Sequence, residues 1–275
     1  MDGFASRPPF APDKARLLDE LRERVRRIEG VGGKDGTAVV PLGLPELDAA
    51  LPGGGLPLGA VHEVIGPDAV LDSGIATAFS AVLLGKLAAG RGPVLWVART
   101  DDLYAPALGQ YGLLPQDVLL VQAAPGRKGE TDVLWVLEEA LRHPGVGAVL
   151  GEVGELDLAA SRRLQLAAEA GGVPGVLLRL GPRRLEASAA VTRWRLAPLP
   201  TLALEVTRDP ILPDLPRLGA VAWRVELLRC RGGRPGLWDL AWLGPGSGPF
   251  TGLQGRPALT EAGEPLQRAG QGLGP

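Results

Sequence analysis

Gly66 closes an apolar run, Ala60-Val61-His62-Glu63-Val64-Ile65, and stands just ahead of a second apolar stretch that begins near Ile75. A glycine between a buried strand and a helix is where a nucleotide-binding chain carries its phosphate loop. That loop needs G-x-x-x-x-G-K-[ST]: glycines to turn backbone N–H groups inward, a lysine for the β and γ oxygens, a hydroxyl for magnesium. Counted from Gly66, the lysine's place falls on Asp72 and the hydroxyl's on Ser73. With three residues inserted, Gly74 takes the second glycine's place, Ile75 the lysine's, and Ala76 or Thr77 the hydroxyl's. Neither register keeps the cation. A carboxylate about 4 Å from a phosphate costs roughly 4 kcal/mol at an effective dielectric near 20. Gly85-Lys86-Leu87 sits inside a helical apolar pattern and lacks the hydroxyl, and Gly33-Lys34 precedes the first core strand. Gly66, Asp72, Ser73, Gly74 and Thr77 therefore read as a degenerate nucleotide site, with no catalytic residue and no enzymatic turnover expected. A helix N-terminus still attracts an anion, so weak binding of ATP and magnesium is left open. Glu152, at the end of the fourth apolar strand, is placed to ligate that magnesium, but with no lysine to hold a nucleotide it reads as a bystander.

Other chemistries lack material. His62 and His143 are the only histidines and Cys230 the only cysteine, so no metal site and no disulfide is expected. Ser161 and Ser188 have no G-x-S-x-G context and so no nucleophile's setting. Arginine carries what remains. Arg162 and Arg163 are adjacent on a helical pattern and project about 100° apart; a contact surface and a solvated face are equally good readings. Arg229, Arg231 and Arg234 crowd one turn near Trp238. Basic groups beside an aromatic can grip single-stranded nucleic acid or an acidic peptide. Trp96 and Trp135 read as core residues.

The elements that must position these groups follow from periodicity. Strands are expected at 60–65, 93–98, 118–122, 148–153 and 175–180, as continuous apolar runs suited to a parallel sheet covered on both faces. Helices are expected at 75–89, 103–111, 131–143, capped by Thr131, and 157–170, capped by Asp157. Alternating strands follow at 193–197, 221–230 and 237–242 around the turn Arg231-Gly232-Gly233-Arg234-Pro235-Gly236. Ahead of the core, Asp13–Glu29 reads as a helix whose Leu18, Leu21, Val25 and Ile28 make one narrow apolar stripe. It either packs on its own domain or serves as an arm for a partner. The division is 1–36 arm and helix, 37–243 α/β domain, and 244–275 a flexible tail rich in Gly, Pro, Gln and Ser. At 275 residues, 45% hydrophobic and 22% charged, the chain is of ordinary globular composition, and a net charge of −2 gives no global attraction to nucleic acid or membrane. The lone cysteine and the absence of a signal peptide or an apolar span predict a cytoplasmic protein with no membrane contact.

Residues 41–67, PLGLPELDAALPGGGLPLGAVHEVIGP, resemble the lead-in of RecA-type domains. Within that superfamily, residues 92–113, 140–179, 189–198 and 222–242 resemble the bacterial ImuA proteins, so that the likeness covers about 13–243. It implies a RecA-like, P-loop-type α/β core with a mainly parallel sheet, an N-terminal helix and a C-terminal antiparallel β-hairpin extension. It also implies an accessory factor of error-prone translesion synthesis and mutagenesis in the SOS response to DNA damage, working beside RecA, an ImuB-like Y-family protein and an error-prone DNA polymerase, close to the nucleoid. Degenerate phosphate loops are common among these relatives. Both loops that bind DNA in RecA-type recombinases look shortened here, at 153–156 and 181–188, although Arg183 and Arg184 leave weak phosphate contact conceivable. A divergent DNA-dependent ATPase and a SulA-like inhibitor of cell division are the competing readings.

Overall fold

The computed structural model describes residues 38–67, 73–124, 126–182, 184–202, 220–242 and 253–255. The expected arm helix with Leu18, Leu21, Val25 and Ile28 lies outside them, as does most of the tail.

A small hairpin of β1 (Val39–Val40) and β2 (Leu56–Pro57) leads in, with a single helical turn α1 (Pro45–Asp48) between its strands. Asp48 holds this lead-in: its carboxylate accepts from the backbone N–H groups of Leu42, Gly43 and Leu44 at 2.7–3.1 Å. The core then alternates: β3 (Val61–Gly66), α2 (Ser73–Ala88), β4 (Val94–Ala98), α3 (Ala105–Leu108), β5 (Val118–Gln122), α4 (Gly126–Arg142), β6 (Ala148–Glu152), α5 (Leu158–Gly171), β7 (Gly175–Leu180). β8 (Thr192–Leu202), β9 (Ala220–Cys230), β10 (Gly236–Trp242) and β11 (Leu253–Gly255) complete a nine-stranded sheet in the order β11-β10-β9-β8-β3-β7-β6-β4-β5. From β8 to β5 every neighbouring pair is parallel; from β8 to β11 every pair is antiparallel. The fold is mixed α/β with a large, mostly parallel sheet and antiparallel hairpin strands, as the apolar and then alternating runs predict.

The strand residues divide between two apolar clusters, one on each face. One cluster joins Val64, Trp96, Leu150, Val176 and Leu178 to Phe79, Leu83 and Leu87 of α2; the other joins Val61, Val97, Val149 and Leu177 to Val133, Leu137 and Leu141 of α4 and Leu164 and Ala168 of α5. α2 is apolar all round because the sheet lies on one side and the lead-in residues Leu42, Leu47 and Leu56 join the same cluster. Its Lys86 is 1% exposed, and burial pulls its ammonium down to about 8 against a smaller opposing pull from Asp48. The extension is tied on by aromatic contacts: Phe79 lies 6.0 Å from both Trp194 and Trp223, and Tyr111 lies 6.4 Å from Trp223 and 6.1 Å from Trp242. Each such pair adds about 0.5–1.5 kcal/mol beyond burial.

Several expectations are corrected. The helix expected at 103–111 is the four-residue α3 followed by a 3₁₀ turn, because Pro106 fixes its start and Gly112 ends it with φ of 83°. α4 begins at Gly126, so Thr131 lies inside it and not at its N-cap. Asp157 does cap α5, its Oδ1 accepting from Ala160 N at 2.7 Å, and Gly172 closes that helix with φ of 71°. Trp96 is fully buried as expected, but Trp135 is 65% exposed: it falls half a turn from Val133 and Leu137, which face the sheet. β5 is an edge strand, not covered on both faces, with Leu119 and Leu120 each about half exposed. Within the expected tail, Leu253–Gly255 pairs with β10.

Candidate functional site

The carboxyl ends of the parallel strands are where open α/β sheets bind ligands, above all where the strand order reverses. Here that reversal lies between β4 and β6. Glu152, the last residue of β6, sits at this crevice with its carboxylate engaged by the chain itself. Oε2 accepts from Arg99 N at 2.8 Å and more loosely, at 3.4 Å, from Thr100 N and Oγ1; Oε1 accepts from Trp96 Nε1 at 3.3 Å. It thus closes the turn by which β4 leaves the sheet. Beside it, Arg99 forms an ion pair with Glu130 at 2.8 Å, and a side chain at Gly154 would stand 2.8 Å from Arg99 Nη1. These groups pair with one another at the mouth of the crevice.

Gly66 is the last residue of β3 and is buried. A Cβ there would meet Ala76 Cβ at 2.7 Å and Leu180 Cδ2 at 2.9 Å, so the glycine lets α2 sit against the strand end. Ser73 begins α2, Gly74 is exposed with open space around it, and Thr77 is half-buried. Asp72 lies outside the described residues. Gly66, Gly74 and Thr77 are thus gathered at the β3–α2 junction, with Glu152 on the next-but-one strand. Among the described residues no group of His, Cys, Asp and Glu is arranged to hold a metal ion.

A second constellation was missed. Glu63 and Arg179 occupy neighbouring parallel strands, paired at 2.9 Å, and Arg193 of β8 reaches the other oxygen of Glu63 at 2.8 Å. Arg179 also binds Glu186 at 3.1 Å and donates to Gly154 O. Two acids and two bases balance, as burial demands. The available signal was one charge of each sign standing inside two apolar strand runs. This network clamps the loop 181–191. Arg193 donates to Glu186 O at 2.8 Å, Arg229 donates to Ser188 O, Ser161 and Ser188 hydroxyls lie 3.2 Å apart, and Ala189 N donates to Ser161 Oγ at 2.8 Å. The two serines that sequence offered no role thus fasten α5 to the loop. Arg184 is exposed on this short, tethered loop.

The arginine turn is less free than its spacing implies. Besides Arg229, held by Ser188 O, Arg231 lies 3.8 Å from Glu169, and the turn backbone packs on the lead-in through Arg234 N to Ala50 O at 2.8 Å. Arg229 thus has an acceptor and Arg231 an acid nearby within the chain, and Arg234 is exposed. Arg162 and Arg163 are both exposed on α5, with Arg163 Nε 3.6 Å from Glu138 of α4. His62 is buried and satisfied: Nε2 donates to Pro57 O at 3.1 Å, Nδ1 accepts from Thr192 Oγ1 at 2.8 Å, and that oxygen accepts from Trp194 Nε1. Burial pulls its pKa down to about 4. His143 is exposed at the end of α4, its Nδ1 accepting from Gly145 N. No helix among the described residues is long and apolar enough to cross a membrane.

Fold and site together define an α/β protein in which the acid at the strand-order reversal, Glu152, is hydrogen-bonded by its own chain. Comparison then places it. The chain is 42% identical over 229 residues to Protein ImuA of Caulobacter vibrioides, in strain NA1000 and equally in strain ATCC 19089, covering 79% of this chain and 89% of that protein. It belongs to the ImuA family. No family model matches. Among solved structures, SulA from Pseudomonas aeruginosa aligns at 25% identity over 44% of this chain and 98% of its own, with a TM-score of 0.37.

Proposed function

We propose that this chain is a non-catalytic accessory factor of DNA-damage-induced, error-prone translesion synthesis, built on a RecA-like body that acts by contact. The observation that carries the reading is its 42% identity to ImuA proteins across 229 residues. The proposed partners are RecA, an ImuB-like Y-family protein and an error-prone polymerase, met in the cytoplasm near the nucleoid, with single-stranded DNA as a weaker ligand.

The RecA-like assignment draws support from the strand that ends in Gly66, which runs parallel between β7 and β8 and is followed by α2. A contact role draws support from the crevice. Glu152 Oε2 is already taken up by Arg99 N, so a magnesium ion would have to compete with Trp96 Nε1 for Oε1, and a displaced donor costs about 1–3 kcal/mol. Among the described residues of the tethered loop after β7, Arg184 is the exposed arginine offered to DNA. Arg234, exposed in the turn between β9 and β10, is the proposed contact there.

The test is a pull-down of the full-length chain from damaged cells, with ATPase measured on the purified protein in parallel. Enrichment of RecA and a Y-family-like protein, with phosphate release at background with or without single-stranded DNA, is the expected result. DNA-stimulated phosphate release that disappears in Asp72→Ala would overturn the non-catalytic reading. Failure to enrich either partner would overturn the bridging role.

A further inference from the structure

We propose that the outer face of α4 and α5 is the docking surface for residues 13–29 of the same chain. On that face Trp135 is 65% and Leu166 63% exposed. The Arg163–Glu138 contact at 3.6 Å sets the two helices side by side, with Trp135 one turn before Glu138 and Leu166 one turn after Arg163. An exposed tryptophan and leucine on adjoining helices form the kind of anchor that a partner helix covers.

The occupant follows from two observations. Residues 13–29 carry a single stripe, Leu18, Leu21, Val25 and Ile28, which has nothing to bury against on its own. Reach also suffices. Leu58 N donates to Ala38 O at 2.9 Å, and a Cβ at Gly59 would stand 3.1 Å from Ala168 O, so the described chain begins beside the C-terminal end of α5. The eight residues 30–37 extend up to about 28 Å, whereas Leu166 lies only about 8 Å along the axis from Gly171. A tether this short raises the local concentration of the segment to the millimolar range. This inference is independent of the proposed function.

The experiment uses the full chain. Acrylamide quenching of Trp135 is read as the difference between each protein and its Trp135→Phe counterpart, alongside molar mass by light scattering. Quenching of Trp135 is expected to be weak in the wild type. It should rise in Leu21→Glu with Val25→Glu, and to the same extent in Leu166→Glu, with mass staying monomeric. Equal quenching in all three proteins would overturn the proposal. So would shielding that comes with a dimer mass lost in the variants, which would make a second copy the occupant.

Discussion

Glu63 Oε1 lies 2.9 Å from Arg179 Nη1 on the neighbouring parallel strand, with both side chains at most 1% exposed. A buried pair of this kind holds its place because each ion is the other's solvent. Arg179→Met leaves Glu63 with Arg193 alone and is expected to cost about 3–5 kcal/mol in urea unfolding. Glu63→Leu combined with Arg179→Met should cost clearly less than the sum of the single changes, since neither member of that pair is then left facing a missing partner, while Arg193 keeps Glu186 O.

Glu152 gives a second prediction. Glu152→Ala removes the acceptor for Arg99 N, Thr100 N and Trp96 Nε1. The expected loss is about 1–3 kcal/mol, read as a lower urea midpoint. Glu152→Gln keeps an acceptor oxygen and should lose less. A carboxylate kept only for magnesium would leave stability unchanged in both variants.

The buried imidazole of His62 sets a pH dependence. Its folded pKa, near 4, lies below its ordinary 6.5, so the unfolded chain binds the proton more readily. Its stabilising effect is complete above pH 6.5 and is lost as pH falls towards 4, amounting to about 3 kcal/mol in full. Urea midpoints measured between pH 7 and 4 should fall accordingly. His62→Gln, which cannot titrate, should flatten that fall.

Close packing at the β3–α2 junction makes Gly66 sensitive. Gly66→Ala drives a methyl to within 2.7 Å of Ala76 Cβ and should destabilise by about 1–3 kcal/mol. Adding Ala76→Gly removes that clash and should recover part of the loss in thermal unfolding. If Gly66→Ala is silent, the strand end is not packed as described.

Much of the scaffold was legible because burial writes itself into sequence. The run Val149-Leu150-Gly151 reads as a covered strand, and Asp157 announces a helix start, because each local pattern has one economical conformation. Trp135 failed because a tryptophan in a helix counts as apolar whichever side it faces. Here the phase set by Val133 and Leu137 put it in solvent. Glu152 was correctly located, but its hydrogen bonds come from Arg99, Thr100 and Trp96, more than fifty residues away, and no local pattern records that.

The sequence alone settled that the junction after Gly66 carries no phosphate-loop lysine and that parallel strands give way to antiparallel ones, since these depend on residue identity and short-range periodicity. Only the tertiary structure decided that Glu63, Arg179, Arg193 and Glu186 form one neutral cluster, that it fastens the loop after β7, and that Glu152 at the β4–β6 crevice is hydrogen-bonded by the turn after β4. Those outcomes depend on strand order, and strand order is fixed by which apolar faces meet across the sheet.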